Sequence, residues 1–273
     1  MKTAAKSKRA NQSDAVSIIT CTNRPEHFKR LMANYKRQRY KSKELIVVLN
    51  KDSMNLKNYL RKYKQRKDIL LYQLPEKKSL GYCLNYAIIK ANHAYISRFD
   101  DDDYYSPFYL NTMMHALRKS KTDIVGKRAC LIYLESSSRL LLRHPKEQNR
   151  YVEQIAGATL LCSKKIFNKV RFRPVSLGET VGFLRRCKRK GYNVYSTDCF
   201  HYVTRRRAQK DSHTWKISDR KLISQSKQIT ACGSRYRRYA TNKKPGINLR
   251  GAKTCAGSLS QLRRRRIGFK SHF

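Results

Sequence analysis

Ala15-Val16-Ser17-Ile18-Ile19-Thr20, a stretch with helical spacing over residues 26–37, and then Glu44-Leu45-Ile46-Val47-Val48-Leu49 form the passage on which the fold turns. Both apolar runs are unbroken rather than alternating, so each reads as a strand buried on both faces. Between them Pro25 suits a first helical turn, and Phe28, Leu31, Met32 and Tyr35 recur at helical spacing. The unit then repeats as a helix over residues 54–63, a strand over 69–74, a helix over 80–92 and a strand over 94–99. Strands alternating with helices of this length need right-handed crossovers, so the expectation is an α/β fold with a largely parallel sheet and helices on both faces. In such sheets ligands collect at the carboxyl ends of the strands.

Beyond a helix over residues 107–119 the pattern loosens into mixed strands at 123–127, 129–134, 140–143 and 158–162. A helix at 179–190, a strand at 193–197 and a short helix near 216–223 follow. Residues 1–13 read as a basic, flexible arm and 14–223 as the folded domain. Residues 224–273, which contain no acidic residue, read as a basic tail.

The 273 residues carry 62 Lys and Arg against 18 Asp and Glu, a net charge of +44 that attracts any polyanion without choosing among them. With 40% hydrophobic residues gathered in short runs, a real core is expected. No run approaches the roughly 20 apolar residues that cross a bilayer, and no apolar segment follows the Lys-rich start, so neither a transmembrane nor a Sec-secreted protein is expected. The eight cysteines include no C-x-x-C pair, which points to reduced, mostly buried thiols in a cytosolic protein.

Chemistry concentrates at Asp100-Asp101-Asp102-Asp103, where four of the 18 acidic residues follow directly on a strand. On a strand end Asp100 and Asp102 point one way and Asp101 the other, which offers two oxygen ligands to one hard divalent cation, Mn2+ or Mg2+. The alternatives are an acidic surface turn or a calcium loop; the latter lacks the glycine and terminal glutamate of an EF-hand.

Taken with this acidic run, Val16 to Pro25, Glu44 to Asn50 and Leu80-Gly81-Tyr82-Cys83-Leu84-Asn85 resemble family 2 glycosyltransferases of the GT-A fold, a Rossmann-like architecture. The segments come in the family's order and cover residues 15 to roughly 222. The wording is similar to that of bacterial members associated with spore coat or envelope polysaccharide. The resemblance implies a nucleoside diphosphate sugar donor, with a uridine diphosphate sugar as first expectation, and a glycan or other hydroxyl acceptor. It places the donor against Thr20, Thr22, Asn23, Asn50, Asp100 and Asp101, with Lys78 near the diphosphate. Asn50 stands where most of the family has an acidic residue, so either its carbonyl oxygen accepts from the base or Asp52 takes the role. The metal falls to Asp100 and Asp102, and to His213, a histidine near the end of the catalytic domain; Arg205, Arg206 and Arg207 would neutralise the leaving diphosphate.

The family's second catalytic element is a Glu-Asp pair opening a helix. Here it reads Glu179-Thr180, and threonine is no general base near neutral pH. Either Glu179 deprotonates the acceptor in an inverting transfer, or the protein is an impaired transferase that retains nucleotide or glycan recognition. Gly157 is expected in a strand that approaches the acceptor, and Trp215 either stacks on a sugar or packs over the sheet. A nucleic-acid-binding protein is the remaining alternative, but no helix-turn-helix, zinc or RNA-recognition signature supports specific nucleic-acid binding. The protein is placed in the cytoplasm or peripherally at an envelope or forming-spore surface, the basic tail meeting an anionic polymer or membrane.

Overall fold

The computed structural model describes residues 14–209 and 217–241. The first half follows the expected rhythm: β1 (Val16–Thr22), α1 (Phe28–Arg37), β2 (Lys43–Leu49), α2 (Leu56–Tyr63), β3 (Ile69–Gln73), α3 (Leu80–Lys90) and β4 (Tyr95–Arg98). After it come β5 (Tyr104–Tyr105), α4 (Tyr109–Ser120), β6 (Ile124–Gly126), β7 (Cys130–Leu134), β8 (Arg139–Arg143), β9 (Arg150–Tyr151) and β10 (Leu161–Ser163). The remaining elements are α5 (Glu179–Arg189), β11 (Val194–Ser196), β12 (Tyr202–Arg206), α6 (Asp219–Ser224), β13 (Ser226–Ala231) and α7 (Tyr236–Thr241).

Among the described residues the strands form two sheets. The larger runs β3-β2-β1-β4-β10-β6-β11-β9. Its first four strands are parallel, β10 is antiparallel to both neighbours, and β11 is parallel to β6. The unbroken apolar runs behave as read. Val16, Ile18, Leu45 and Val47 face one core with Leu31 and Tyr35 of α1 and Met113 of α4. Ile19, Ile46 and Val48 face the other with Leu84 and Ile88 of α3 and Phe183 of α5. Helices therefore cover both faces, as a parallel sheet requires.

The second sheet, β13-β8-β7-β12-β5, departs from the single sheet expected. It also corrects the tail boundary. Residues 226–231 pair antiparallel with β8, and Cys232, Tyr236 and Ala240 pack on Leu131, Tyr133 and Leu140. Tyr236 stacks on Tyr133 with ring centroids 4.4 Å apart. The few apolar residues in this basic stretch are spaced so that they reach one face, and the arginines and lysines between them do not prevent burial. Gly157, expected in a strand, lies instead in a 3-10 turn, Gly157–Thr159.

The seven described cysteines form no disulfide, and all but Cys21 are buried. Among the described residues no helix is long and apolar enough to cross a membrane.

The Leu80 to Asn85 segment has a mechanical role. Ser79 caps α3 through the Tyr82 N–H, the Leu80 N–H donates to Ser176 Oγ at 3.2 Å, and the Gly81 N–H donates to the Val175 carbonyl at 3.0 Å. One turn on, the Asn85 amide donates to the Phe172 carbonyl at 2.9 Å and accepts from the Phe172 N–H at 3.0 Å. The start of α3 thus fixes the segment that leads into α5 and Glu179. A Cβ at Gly81 would lie 1.9 Å from the Arg173 carbonyl oxygen. Although alanine is normally the better helix former, Gly81→Ala is expected to lower stability by about 1–3 kcal/mol through this overpacking. Urea denaturation of the variant beside wild type measures the difference, and an unchanged midpoint would show that the contact relaxes freely.

Candidate functional site

The acidic turn is held from below by aromatic rings. Phe99 stacks on Tyr105 at 3.8 Å between centroids, nearly parallel. The Tyr105 hydroxyl accepts from the Asp100 N–H and donates to the Ala158 carbonyl, both at 2.8 Å. With the backbone pinned, the four carboxylates diverge. Asp101 turns into the protein, where it accepts from Thr22 and Arg24 and lies 3.6 Å from His27 Nδ1. Burial works against its charge, but His27, Arg24 and Thr22 outweigh burial and hold its pKa below the ordinary carboxylate value. Asp102 meets Arg24 at 3.0 Å and Arg207 at 3.5 Å. Asp103 is buried, accepting from the Tyr202 hydroxyl and the Arg205 N–H. Burial, with Asp102 and Asp100 nearby, raises its pKa well above the ordinary range.

Asp100 is tied to the other half of the site by Arg98. This guanidinium, 5% exposed at the end of β4, donates through Nε to Asp100 at 2.9 Å and through Nη1 to Glu179 at 2.6 Å and Thr180 Oγ1 at 2.9 Å. Thr180 in turn donates to Glu179 Oε1 at 3.1 Å. Burial is the largest influence on Arg98 and opposes its charge; Asp100 and Glu179 more than offset it and raise the pKa above the usual arginine value. Gly157 borders this knot. A Cβ there would stand 2.8 Å from Thr180 Oγ1 and 3.1 Å from Arg98 Nη1, so any side chain would press on the Arg98–Thr180 contact.

Asp100, Asp102, Asp103, Gly157, Glu179 and Thr180 share one cavity of about 470 Å³. Asp100 and Asp102 face it and Asp101 does not, as strand alternation suggested, although the turn itself is not strand. Of the residues expected at the donor, Asp100 lines this cavity, while Thr20, Thr22, Asn23 and Asn50 lie at the ends of β1 and β2. Thr20 is fully buried with its hydroxyl unpartnered among the described residues, and Thr22 is engaged with Asp101. Asn23 is exposed. Asn50 donates to the Pro75 carbonyl at 2.8 Å, which leaves its carbonyl oxygen as the acceptor, and its backbone N–H binds the Thr22 carbonyl. Asp52 is exposed and accepts from the Glu76 N–H at 3.2 Å. Lys78 lies with its ammonium 4.6 Å above the Tyr82 ring. His213 and Trp215 fall outside the described residues.

Among the described residues, the side chains able to converge on one cation are His27, Asp101 and Asp102, whose ligand atoms lie within 4.8 Å of one another. This set differs from the pair Asp100 and Asp102, because Asp100 is drawn toward Arg98. The two carboxylates are hard oxygen donors of the kind Mn2+ and Mg2+ take, and the imidazole is a nitrogen donor more usual for later transition metals. His27 Nδ1 is also buried without a hydrogen-bond partner among the described residues, so the donor set fits a metal.

Sequence reading passed over Arg98, Arg24, His27, Tyr202 and Lys127. Lys127 is fully buried and donates to Thr197 Oγ1 and the Asp198 carbonyl, joining the ends of β6 and β11. Burial lowers its pKa, with Asp198 partly compensating. An arginine at the end of a buried strand, two residues before an acidic run, was the available signal for Arg98.

Residues 17–208 match the model of the glycosyl transferase family 2. The chain belongs to this family. Among curated family relatives, the poly-beta-1,6-N-acetyl-D-glucosamine synthase of Staphylococcus aureus is 26% identical over 96 residues, which are 34% of this chain and 23% of that enzyme. The match thus spans about a quarter of the relative's length. Among solved structures, S. aureus TarS 1-349 in complex with UDP-GlcNAc superposes with a TM-score of 0.56 at 16% identity, covering 77% of this chain and 64% of that one. The mannosyltransferase PcManGT of Pyrobaculum calidifontis, in complex with GDP-Man and Mn2+, gives 0.54 at 14% identity, covering 69% and 56%. Both are likenesses of fold, and with the sheet order they place the family 2 domain among GT-A folds.

Arg98→Met would leave the buried Glu179 and the half-buried Asp100 without their shared cation, so it is expected to cost about 3–5 kcal/mol of folding stability. Arg98→Lys, which keeps the charge but not the fork, should recover part of that loss. Chemical denaturation of both variants checks the ordering; equal stability of Arg98→Met and wild type would contradict it.

Proposed function

We propose that this family 2 protein transfers a sugar from a nucleoside diphosphate sugar, first of all a uridine diphosphate sugar, to a hydroxyl of an envelope or spore glycan, with inversion at the anomeric carbon. The observation that carries this reading is the cavity in which Asp100 of the acidic turn meets Glu179 through Arg98. The UDP-GlcNAc bound to TarS and the GDP-Man and Mn2+ bound to PcManGT support the donor class and the cation.

In this reading Glu179 is the general base. Its Oε1 accepts from Arg98 and Thr180, which leaves Oε2 for the acceptor hydroxyl. Thr180 is then an orienting residue rather than a defective base, since it fixes the carboxylate and the guanidinium at once. Asp102, Asp101 and His27 would hold Mn2+ or Mg2+, which when bound neutralises charge on the leaving diphosphate. Arg205 and Arg206 line the same cavity and add fixed positive charge. Asn23 and Asn50 bind the base and ribose side of the donor. The protein works in the cytoplasm or at an envelope surface, and the basic residues after 241 dock it on an anionic polymer or membrane.

Calorimetric titration of uridine diphosphate with and without Mn2+ is expected to give micromolar binding that needs both the metal and Asp102. Metal-independent binding unaffected by Asp102→Ala would remove the metal from this proposal. Glu179→Gln should lower transfer by about a hundredfold to ten-thousandfold with donor affinity retained. Thr180→Asp should not raise the rate; a large gain would instead favour the second reading, in which the site is impaired by the loss of the usual Asp.

A further inference from the structure

The layer formed by α3 and α5 carries exposed apolar side chains where it meets the cavity. Both helices pack into one core and are joined through Phe172: Asn85 bonds its N–H and carbonyl, and its ring lies 4.6 Å from that of Phe183. On the outside of this layer Tyr82 in the first turn of α3, Val175 and Leu177 on the segment before α5, and Val181 in the first turn of α5 are exposed, Leu177 to 66%. Single exposed apolar residues are ordinary, but these are neighbours. The Gly81 N–H bonds the Val175 carbonyl, and Leu177 and Val181 line the cavity beside Leu80, so they form part of its rim.

The segment that carries Val175 and Leu177 is tied to α3 by the Leu80 N–H to Ser176 Oγ and Gly81 N–H to Val175 bonds, so an anchored backbone presents them to solvent. The charge around this rim has one sign. Residues 77–99 and 154–197 contain a single acidic residue, Glu179, and it is buried against Arg98. Arg171, Arg173, Arg185 and Arg189 are exposed and have no carboxylate partner among the described residues, whereas Lys188 takes Glu153. Arg186 donates to the Arg171 carbonyl at 2.7 Å; burial lowers its pKa and Arg173 lowers it further, so cations stand close together here. Tyr82 carries the Lys78 ammonium over its ring. Tyrosine, aliphatic side chains and a surround of lysine and arginine are the composition that settles at a bilayer interface, with anionic lipid supplying the missing negative charge.

We propose that the rim made by Tyr82, Val175, Leu177 and Val181, with Arg173, Arg185 and the cations beside them, seats on an anionic lipid bilayer and turns the mouth of the cavity toward it. This surface belongs to the folded domain and is separate from the basic residues after 241. A second copy of the chain is a poor occupant, because a two-fold contact would set this basic face against itself. A bilayer surface accepts the apolar side chains and the charge together: the former enter the acyl boundary while the arginines remain at the level of the lipid phosphates.

The test uses the full chain with vesicles of phosphatidylcholine alone or mixed with phosphatidylglycerol. Binding is expected on the mixed vesicles and at least about tenfold weaker on the neutral ones. Val175→Ser/Leu177→Ser should weaken binding to the mixed vesicles by at least about tenfold, since two aliphatic side chains no longer leave water. Arg173→Gln/Arg185→Gln should do the same through lost charge. All four positions are exposed, and thermal melting verifies that the variants fold. Depth is read separately with Leu177→Trp on vesicles with brominated acyl chains. Its emission should be quenched beyond that of wild type, whose one tryptophan, Trp215, sets the baseline.

Vesicle binding that is unchanged in Val175→Ser/Leu177→Ser, with no added quenching in Leu177→Trp, gives the docking to the basic residues after 241 and overturns the inference. Equal binding to neutral and mixed vesicles overturns the requirement for anionic lipid. A Leu177→Trp emission that responds to a soluble acidic polysaccharide but not to vesicles assigns the surface to a glycan, and the bilayer assignment fails. These titrations contain no nucleotide, so the bilayer assignment and the transferase reading, which is tested by uridine diphosphate binding, can each fail without the other.

Discussion

A single buried guanidinium joins the two halves of this molecule's cavity. Arg98 leaves the end of β4 and divides its donors between Asp100, on the turn that follows its own strand, and Glu179 with Thr180, at the first turn of a helix 81 residues further along the chain. Desolvating an arginine is costly, and only two carboxylates in good geometry offset it. The positions of the acidic turn and of the helix start are therefore coupled through one ion. The surroundings conform to it: Gly157 leaves room beside Thr180, Tyr105 fixes the Asp100 backbone, and the start of α3 holds the segment that delivers Glu179.

The acidic cluster illustrates how adjacent like charges are accommodated. Each of the four aspartates has its own solution: Arg98 for Asp100; Thr22, Arg24 and His27 for Asp101; Arg24 and Arg207 for Asp102; and, for Asp103, burial against Tyr202 and a backbone N–H with a raised pKa. Only Asp100 and Asp102 among the first three face the cavity. Asp101 serves chiefly to bind the turn to the loop after β1, and that loop is where His27 brings a ligand atom within 4.8 Å of those of Asp101 and Asp102.

The first four strands and their helices were legible in the sequence because burial on both faces writes itself as unbroken apolar runs, and helical spacing survives between them. The second sheet was legible only in β7 and β8, read as strands over 129–134 and 140–143, and not in β5, β12 or β13. β12 is Tyr202-Val203-Thr204-Arg205-Arg206 and β13 is Ser226-Lys227-Gln228-Ile229-Thr230-Ala231, with a single isoleucine, so neither carries a strong period. Their pairing is also non-local, β13 with β8 and β12 with β7 and β5. The acidic run and Glu179 were visible as chemistry, whereas Arg98, His27 and Lys127 were hidden for a common reason. A charged residue within or beside an apolar element looks like an interruption until the partner that neutralises it is known, and Glu179 for Arg98, Asp101 for His27 and Asp198 for Lys127 are all distant in sequence. Asp100 was expected to turn toward a cation shared with Asp102 because alternation describes direction; it cannot foresee a competing guanidinium from the preceding strand.

The strand order has a consequence for how the protein is made. The four parallel strands of the larger sheet and the helices between them lie within the first 98 residues, so this part finds its partners as soon as it emerges during synthesis. The second sheet has to wait. β8, which carries Arg143, stays at an open edge until β13 arrives more than eighty residues later, and Glu179 appears between the two events. A nascent chain thus has all of its first four strands available well before β13 can pair with β8, and the last described strand to be added is the one at the sheet edge beside Arg143.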